Sequence, residues 1–123
     1  MLTFDEAQKQ AYKIAVEHGW WEKPRDIPEL LMLMVTELAE AMEHYRKPFS
    51  PAEDHTWQEY RNYPSEHYYT LDGKPDGFYI ELADIIIRIL DLCGHDHVDI
   101  GELVRLKMEY NRTRPYRHGG KRA

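Results

Sequence analysis

Apolar positions recur at helical spacing in four segments of the chain, and no run alternates with the period of a strand. Phe4, Ala7, Ala11, Ile14 and Ala15 share one face of a helix predicted over roughly 4–18, with Thr3 and Glu6 as a capping box and Gly19 as its stop. A second helix is predicted over 28–46, opened by Asp26 and Glu29 with Pro28 in its first turn and ended by Pro48. Its inner side is expected to carry Leu30, Leu31, Met34, Leu38, Ala41, Met42 and Tyr45. The third, FYIELADIIIRILDLC over 78–93, is apolar nearly all round and stopped by Gly94, the pattern of a buried helix. The fourth spans 100–113, opened by Asp99 and Glu102 and closed by Pro115, with Ile100, Leu103, Leu106 and Tyr110 inward. These elements predict an all-α, four-helix-type bundle in a single domain of 123 residues.

Between the second and third helices the texture changes. Residues 47–77 hold four prolines and many tyrosines, with a short helix expected near 51–61. So long a connection inside one domain reads as an insertion or a lid.

The third helix holds the chemistry. Glu81, Asp84, Arg88 and Asp91 interrupt its apolar run at spacings of three, four and three, which places all four on one face. Charges in a buried helix are costly unless they are paired or bind a metal. The second helix carries its own stripe, Glu37 and Glu40, with Glu43 three further on. Two E-x-x-[ED] pairs on antiparallel core helices would meet, and four carboxylates together repel one another in a low dielectric. A hard divalent cation relieves that conflict, and oxygen ligands suit Mg²⁺ or Mn²⁺ rather than zinc. The competing reading is a solvated face for Glu37 and Glu40, with Glu81 paired to a lysine or arginine.

Lys107, Asn111 and Arg114, four and three apart, form a basic stripe on the fourth helix suited to phosphate oxygens. Taken alone it is a cationic helix end favoured by the helix dipole. Trp20 and Trp21 lie in a turn beside the second helix, where a base could stack on one of them, or both could be packing. The histidines at 55, 67 and 118 fall in loops or the tail and read as solvated, and His95 with Asp96 lacks the further ligands of an HD-type phosphohydrolase. There is no phosphate-binding glycine loop and no nucleophile elbow.

Charge narrows the field. The formal net charge is −6, yet from Arg105 onward seven Lys or Arg stand against one Glu. A basic tail over 115–123 on an acidic body suits a small anionic ligand and argues against a general nucleic-acid polymer partner. The lone Cys93 excludes an internal disulfide framework. No signal pattern or membrane-length run is present, so a cytoplasmic protein is expected.

In this order TELAE, IELAD and KMEYNRTRPYRHGGK resemble the MazG-like family of all-α nucleoside triphosphate pyrophosphohydrolases. The resemblance covers the chain apart from part of 47–77, with Thr36 standing where family members often carry another acidic residue. It implies a MazG-like architecture and Mg²⁺-dependent cleavage of a nucleoside triphosphate to the monophosphate and pyrophosphate, a nucleotide-pool house-cleaning activity. It implies metal ligation and catalysis by Glu37, Glu40, Glu81 and Asp84, and phosphate binding by Lys107, Asn111 and Arg114. It also implies a homodimer or homotetramer, which an apolar third helix in so short a chain independently favours. The alternative is a non-catalytic helical module of the same fold that binds a nucleotide or a protein.

Overall fold

The computed structural model describes residues 1–46 and 73–116. Four α-helices make up their regular structure: α1 (Phe4–Glu17), α2 (Ile27–Arg46), α3 (Phe78–His95) and α4 (Ile100–Thr113). There is no strand among the described residues, so these parts of the protein are all-helical. The helix expected near 51–61 and the tail from 117 lie outside them.

Local chemistry fixes the helix ends. Thr3 Oγ1 accepts the Glu6 N–H at 3.1 Å and starts α1, and Asp99 Oδ1 accepts the Glu102 N–H at 3.2 Å and starts α4. Glu102 does not return to its cap, because Arg105 holds its carboxylate through two bonds of 2.7 and 3.0 Å. α1 ends in a Schellman turn: Gly19 sits at φ 80°, with Gly19 N–H on Val16 O and Trp20 N–H on Ala15 O.

α3 ends in the same turn two residues later than its glycine suggests. His97, at φ 58°, takes the left-handed position, with its N–H on Gly94 O and the Val98 N–H on Cys93 O. Gly94 is therefore not the stop; it lies in the last turn of the helix. A Cβ there would stand 2.7 Å from Tyr12 Cβ, so glycine serves the close crossing of α1 over α3.

α3 is central, packing on α1 along one side and α2 along the other. α4 leans on α1. Gln8 clamps its start, donating from Nε2 to Val98 O at 2.7 Å, and Gly101 lets Phe4 Cβ come close. Leu30, Ala41 and Leu90 are the fully buried apolar side chains among the described residues.

Several expected core positions are not core within one chain. α2 turns Leu30, Met34, Glu37, Ala41 and His44 towards α3, while Leu31, Leu38, Met42 and Tyr45 are about half exposed. Ile86 and Ile87 on α3 are also half exposed, as are Leu103, Leu106 and Tyr110 on α4. The physical reason is that each helix carries more apolar circumference than two neighbours cover. No helix among the described residues is long and apolar enough to cross a membrane.

Candidate metal centre

Two polar stripes meet where α2 crosses α3. Residues three, four and seven apart share a helix face, so Glu37, Glu40 and His44 line one side of α2 and Glu81, Asp84 and Arg88 one side of α3. One oxygen from each of Glu37, Glu40 and Glu81 falls within 4.8 Å of the others. Glu37 and Glu81 are buried and Glu40 is exposed, so the cluster is rooted in the helix interface and open to solvent at one corner.

Asp84 is half-buried beside this group but does not complete it at that distance. Burial raises its pKa above the ordinary value, and the charges of Glu37 and Glu40 raise it further, against the opposing pull of Arg88 and Lys74.

The cation within reach is Arg88, one turn along from Asp84. Its Nε and Nη2 both donate to Glu37 Oε1, at 3.0 and 2.9 Å. Burial pushes Glu37 up, but the Arg88 hydrogen bonds and charge, with bonds shared with Glu81 and Glu40, outweigh it and hold Glu37 below the ordinary value. Glu81 has no such help. Burial, hydrogen bonding to Glu37 and Glu40, and the charges of Glu40 and Asp84 push it up to about 9. The pair therefore shares its load unequally: Glu37 is ionised and Glu81 keeps a proton at neutral pH.

Glu81 Oε2 is fully buried and lacks a hydrogen-bond partner. Buried polar oxygens are nearly always paired, so an orphan in a carboxylate cluster is where a cation could sit. The residues present fit one: three carboxylates from two rigid helices, one ionised, one orphaned and one solvent-facing. The cluster could hold a metal ion.

A second group adjoins the first. His44 Nε2 lies 3.1 Å from Asp76 Oδ1 and 3.5 Å from Glu81 Oε1. Asp76 Oδ1 also accepts the Gly77 N–H at 2.9 Å, which orients it at the start of α3.

A groove runs from the cluster between α1 and α2, lined by Ile14, His18, Trp20, Glu37, Asp84 and Arg88. Trp20 carries the Arg25 guanidinium 3.8 Å above its ring, with Arg88 5.6 Å away. Trp21 is engaged otherwise. Its indole N–H donates to Asp91 Oδ1 at 2.8 Å and its ring stacks on His95 at 3.8 Å. Of the two, Trp20 is the one that faces the groove. Lys107 and Arg114 flank Tyr110, their charged groups 4.9 and 5.9 Å from its ring, and Asn111 is exposed on the same helix. Neither cation forms an ion pair with the four carboxylates. Thr36 Oγ1 donates back to Met32 O at 3.0 Å and adds no ligand.

Arg88, His44 and Asp76 belong to the site beyond the residues that motif spacing singles out. Arg88 is visible in the sequence as a member of the charged stripe on α3, and His44 as the i+4 neighbour of Glu40. Asp76 precedes α3, and no spacing ties it to α2. No family model matches the chain, and no curated protein or solved structure matches it either.

Proposed function

We propose that the protein is a MazG-like, Mg²⁺-dependent nucleoside triphosphate pyrophosphohydrolase, releasing pyrophosphate and a nucleoside monophosphate. The observation that carries this reading is the convergence of Glu37, Glu40 and Glu81 around a buried oxygen without a partner. Such a set calls for a hard cation, and triphosphates are carried into enzyme sites with Mg²⁺. The substrate class comes from the resemblance of TELAE, IELAD and KMEYNRTRPYRHGGK to the MazG-like family.

Glu37, Glu40 and Glu81 would hold the cation, with Asp84 beside them; the ion would supply charge neutralisation on the phosphate oxygens. The rest falls to the chain's own side chains. Arg88 fixes Glu37 in one orientation and keeps it ionised. Glu40, the exposed carboxylate at the open corner, could orient a water beside the cation and take its proton. The groove receives the nucleoside, with Trp20 in its wall, its ring carrying Arg25, as the aromatic contact for a base. Lys107, Asn111 and Arg114 serve the departing pyrophosphate as cations and donor.

Pyrophosphate release from a panel of nucleoside and deoxynucleoside triphosphates, with and without Mg²⁺, tests this directly. Mg²⁺-dependent release that Glu40→Gln abolishes is the expected result. Mg²⁺ binding without release from any triphosphate would leave the non-catalytic module instead.

We also propose that two chains pair through α2. Ile27, Leu31, Val35, Leu38 and Met42 form a continuous stripe at spacings of three and four, each about half exposed. With few fully buried apolar side chains among the described residues, a second copy is the economical cover for that stripe. Sedimentation should show a dimer that Leu38→Glu converts to monomer.

A further inference from the structure

His44 has no part in the proposed hydrolysis, yet it is placed with care. It lies seven residues after Glu37, on the same face of α2, with only 14% of its side chain exposed. Asp76 and Glu81 converge on its Nε2 from the start of α3, and both are themselves largely buried.

The distances discriminate. Nε2 is 3.1 Å from Asp76 Oδ1 and 3.5 Å from Glu81 Oε1. One ring N–H cannot point at both oxygens, and the longer separation is beyond a good hydrogen bond. Neighbouring ligands about 2.0–2.2 Å from a cation stand roughly 2.8–3.1 Å apart in octahedral and roughly 3.3–3.6 Å apart in tetrahedral geometry, so separations of 3.1 and 3.5 Å suit a shared ion. All three ligand atoms fall within 4.8 Å of one another. A separate observation points the same way. Glu81 belongs to both groups, its side chain is 8% exposed, and its Oε2 is buried without a partner. A carboxylate shared by two ligand sets with an oxygen to spare is suited to bridging two cations.

We propose that His44, Asp76 and Glu81 form a second cation site beside the Glu37–Glu40–Glu81 group, with Glu81 shared between them, and that it selects first-row transition ions such as Mn²⁺ or Co²⁺ over Mg²⁺. Imidazole nitrogen is the reason for the selectivity. Mg²⁺ is hard, demands octahedral oxygen ligation and dehydrates reluctantly, whereas Mn²⁺ and Co²⁺ accept mixed nitrogen and oxygen sets. The inference rests on Glu81 being a metal ligand, as the proposed function does, but not on the hydrolytic reaction.

Electron spin echo spectroscopy of the full-length protein, stripped of metal and loaded with two equivalents of Mn²⁺, reads the imidazole nitrogen directly. The wild-type protein should show ¹⁴N modulation. His44→Gln should lose it, with Mn²⁺ affinity falling at least about tenfold and Mg²⁺ affinity moving far less. Asp76→Asn keeps the ring and should weaken Mn²⁺ binding in the same direction, which guards against misfolding of the first variant. Bound Mn²⁺ without ¹⁴N modulation, or modulation that survives His44→Gln, overturns the second site. Pyrophosphate release measured on the same samples separates the two claims. Mg²⁺-driven release without modulation sinks the histidine site and leaves the proposed function; modulation without release does the reverse.

Discussion

Glu81 and Asp91 are both buried carboxylates, ten residues apart on one stripe of one helix, and the protein treats them in opposite ways. Burial raises the pKa of each. Asp91 is then partly compensated: the Trp21 indole N–H donates to it at 2.8 Å, and His95 and Arg88 lend positive charge, although burial still holds its pKa above the ordinary value. Glu81 is surrounded by further acids, and one of its oxygens has no partner. Position and burial are the same, so neither separates a structural carboxylate from one kept for a ligand. The partners do. The lower half of α3 spends its charges on holding the turn that carries Trp21. The upper half leaves a conflict that a cation could resolve.

The sharpest way to break this contrast is to remove each carboxylate's distinguishing feature. Glu81→Gln should lower the proposed metal-dependent pyrophosphate release at least about a hundredfold, because an oxygen donor common to both candidate groups is lost. Trp21→Phe should leave Mg²⁺ affinity nearly unchanged and cost about 1–3 kcal/mol of stability, since Asp91 Oδ1 stays buried without its donor. Denaturant melts and calorimetric Mg²⁺ titrations of both variants are the measurement. If Trp21→Phe loses the metal and Glu81→Gln keeps it, the two halves of α3 have been assigned the wrong way round.

The same contrast predicts a pH dependence. Glu81 stands at about 9 in the folded protein against an ordinary 4.5, and Asp84 and Asp91 are also raised. A raised carboxyl keeps a proton in the folded state that the unfolded chain has released. Its stabilising effect is therefore complete below about 4.5 and lost as pH climbs towards 9. Glu37 has the opposite sign and gives way only on acidification below its ordinary 4.5, outside that window. The unfolding free energy of metal-free protein, and with it the Tm, should fall as pH rises from about 5 to 8, the free energy by up to roughly 1.4 kcal/mol per pH unit for each proton involved. Saturating Mg²⁺ should flatten the curve, because the ion takes the place of the proton. Glu81→Gln should flatten most of it without any metal. A curve that stays flat in the wild type would mean that the carboxylates share no proton.

The helices were legible because capping and periodicity are local. Thr3, Asp99 and the apolar spacing place α1 and α4 to within a residue of the observed bounds. The acidic residues were legible because interruptions in an apolar helix are rare, and the structure brings Glu37, Glu40 and Glu81 together. What stayed hidden depends on other segments. The E-x-x-[ED] spacing treats Asp84 as equal to Glu81, yet the crossing of α2 over α3 puts it outside the closest group. Arg88 pairs with a residue 51 positions away, which no local pattern encodes. His44 meets Asp76 only because α3 begins beside the end of α2. The apolar count misleads on burial for a related reason: it cannot say whether Leu31, Leu38 and Met42 face their own chain or another.

The smallest effect lies at the structural end of α3 and serves to sharpen the contrast. α1 and α3 close with the same Schellman turn, Gly19 occupying the left-handed position in one and His97 in the other. A side chain in that conformation is strained by about 1 kcal/mol or more, part of which glycine returns through a freer unfolded chain. His97→Gly should therefore raise stability by roughly 0.5–1 kcal/mol, and Gly19→Ala should lower it by a similar amount, with a Cβ there meeting the Glu22 carboxylate at 3.1 Å. Denaturant midpoints read both. Neither turn touches the acidic group, so Mg²⁺ affinity should stay constant in His97→Gly while the midpoint rises. A variant that gained stability and lost metal would show that tightening the lower half of α3 moves Glu81, and that the two ends of the helix act as one unit.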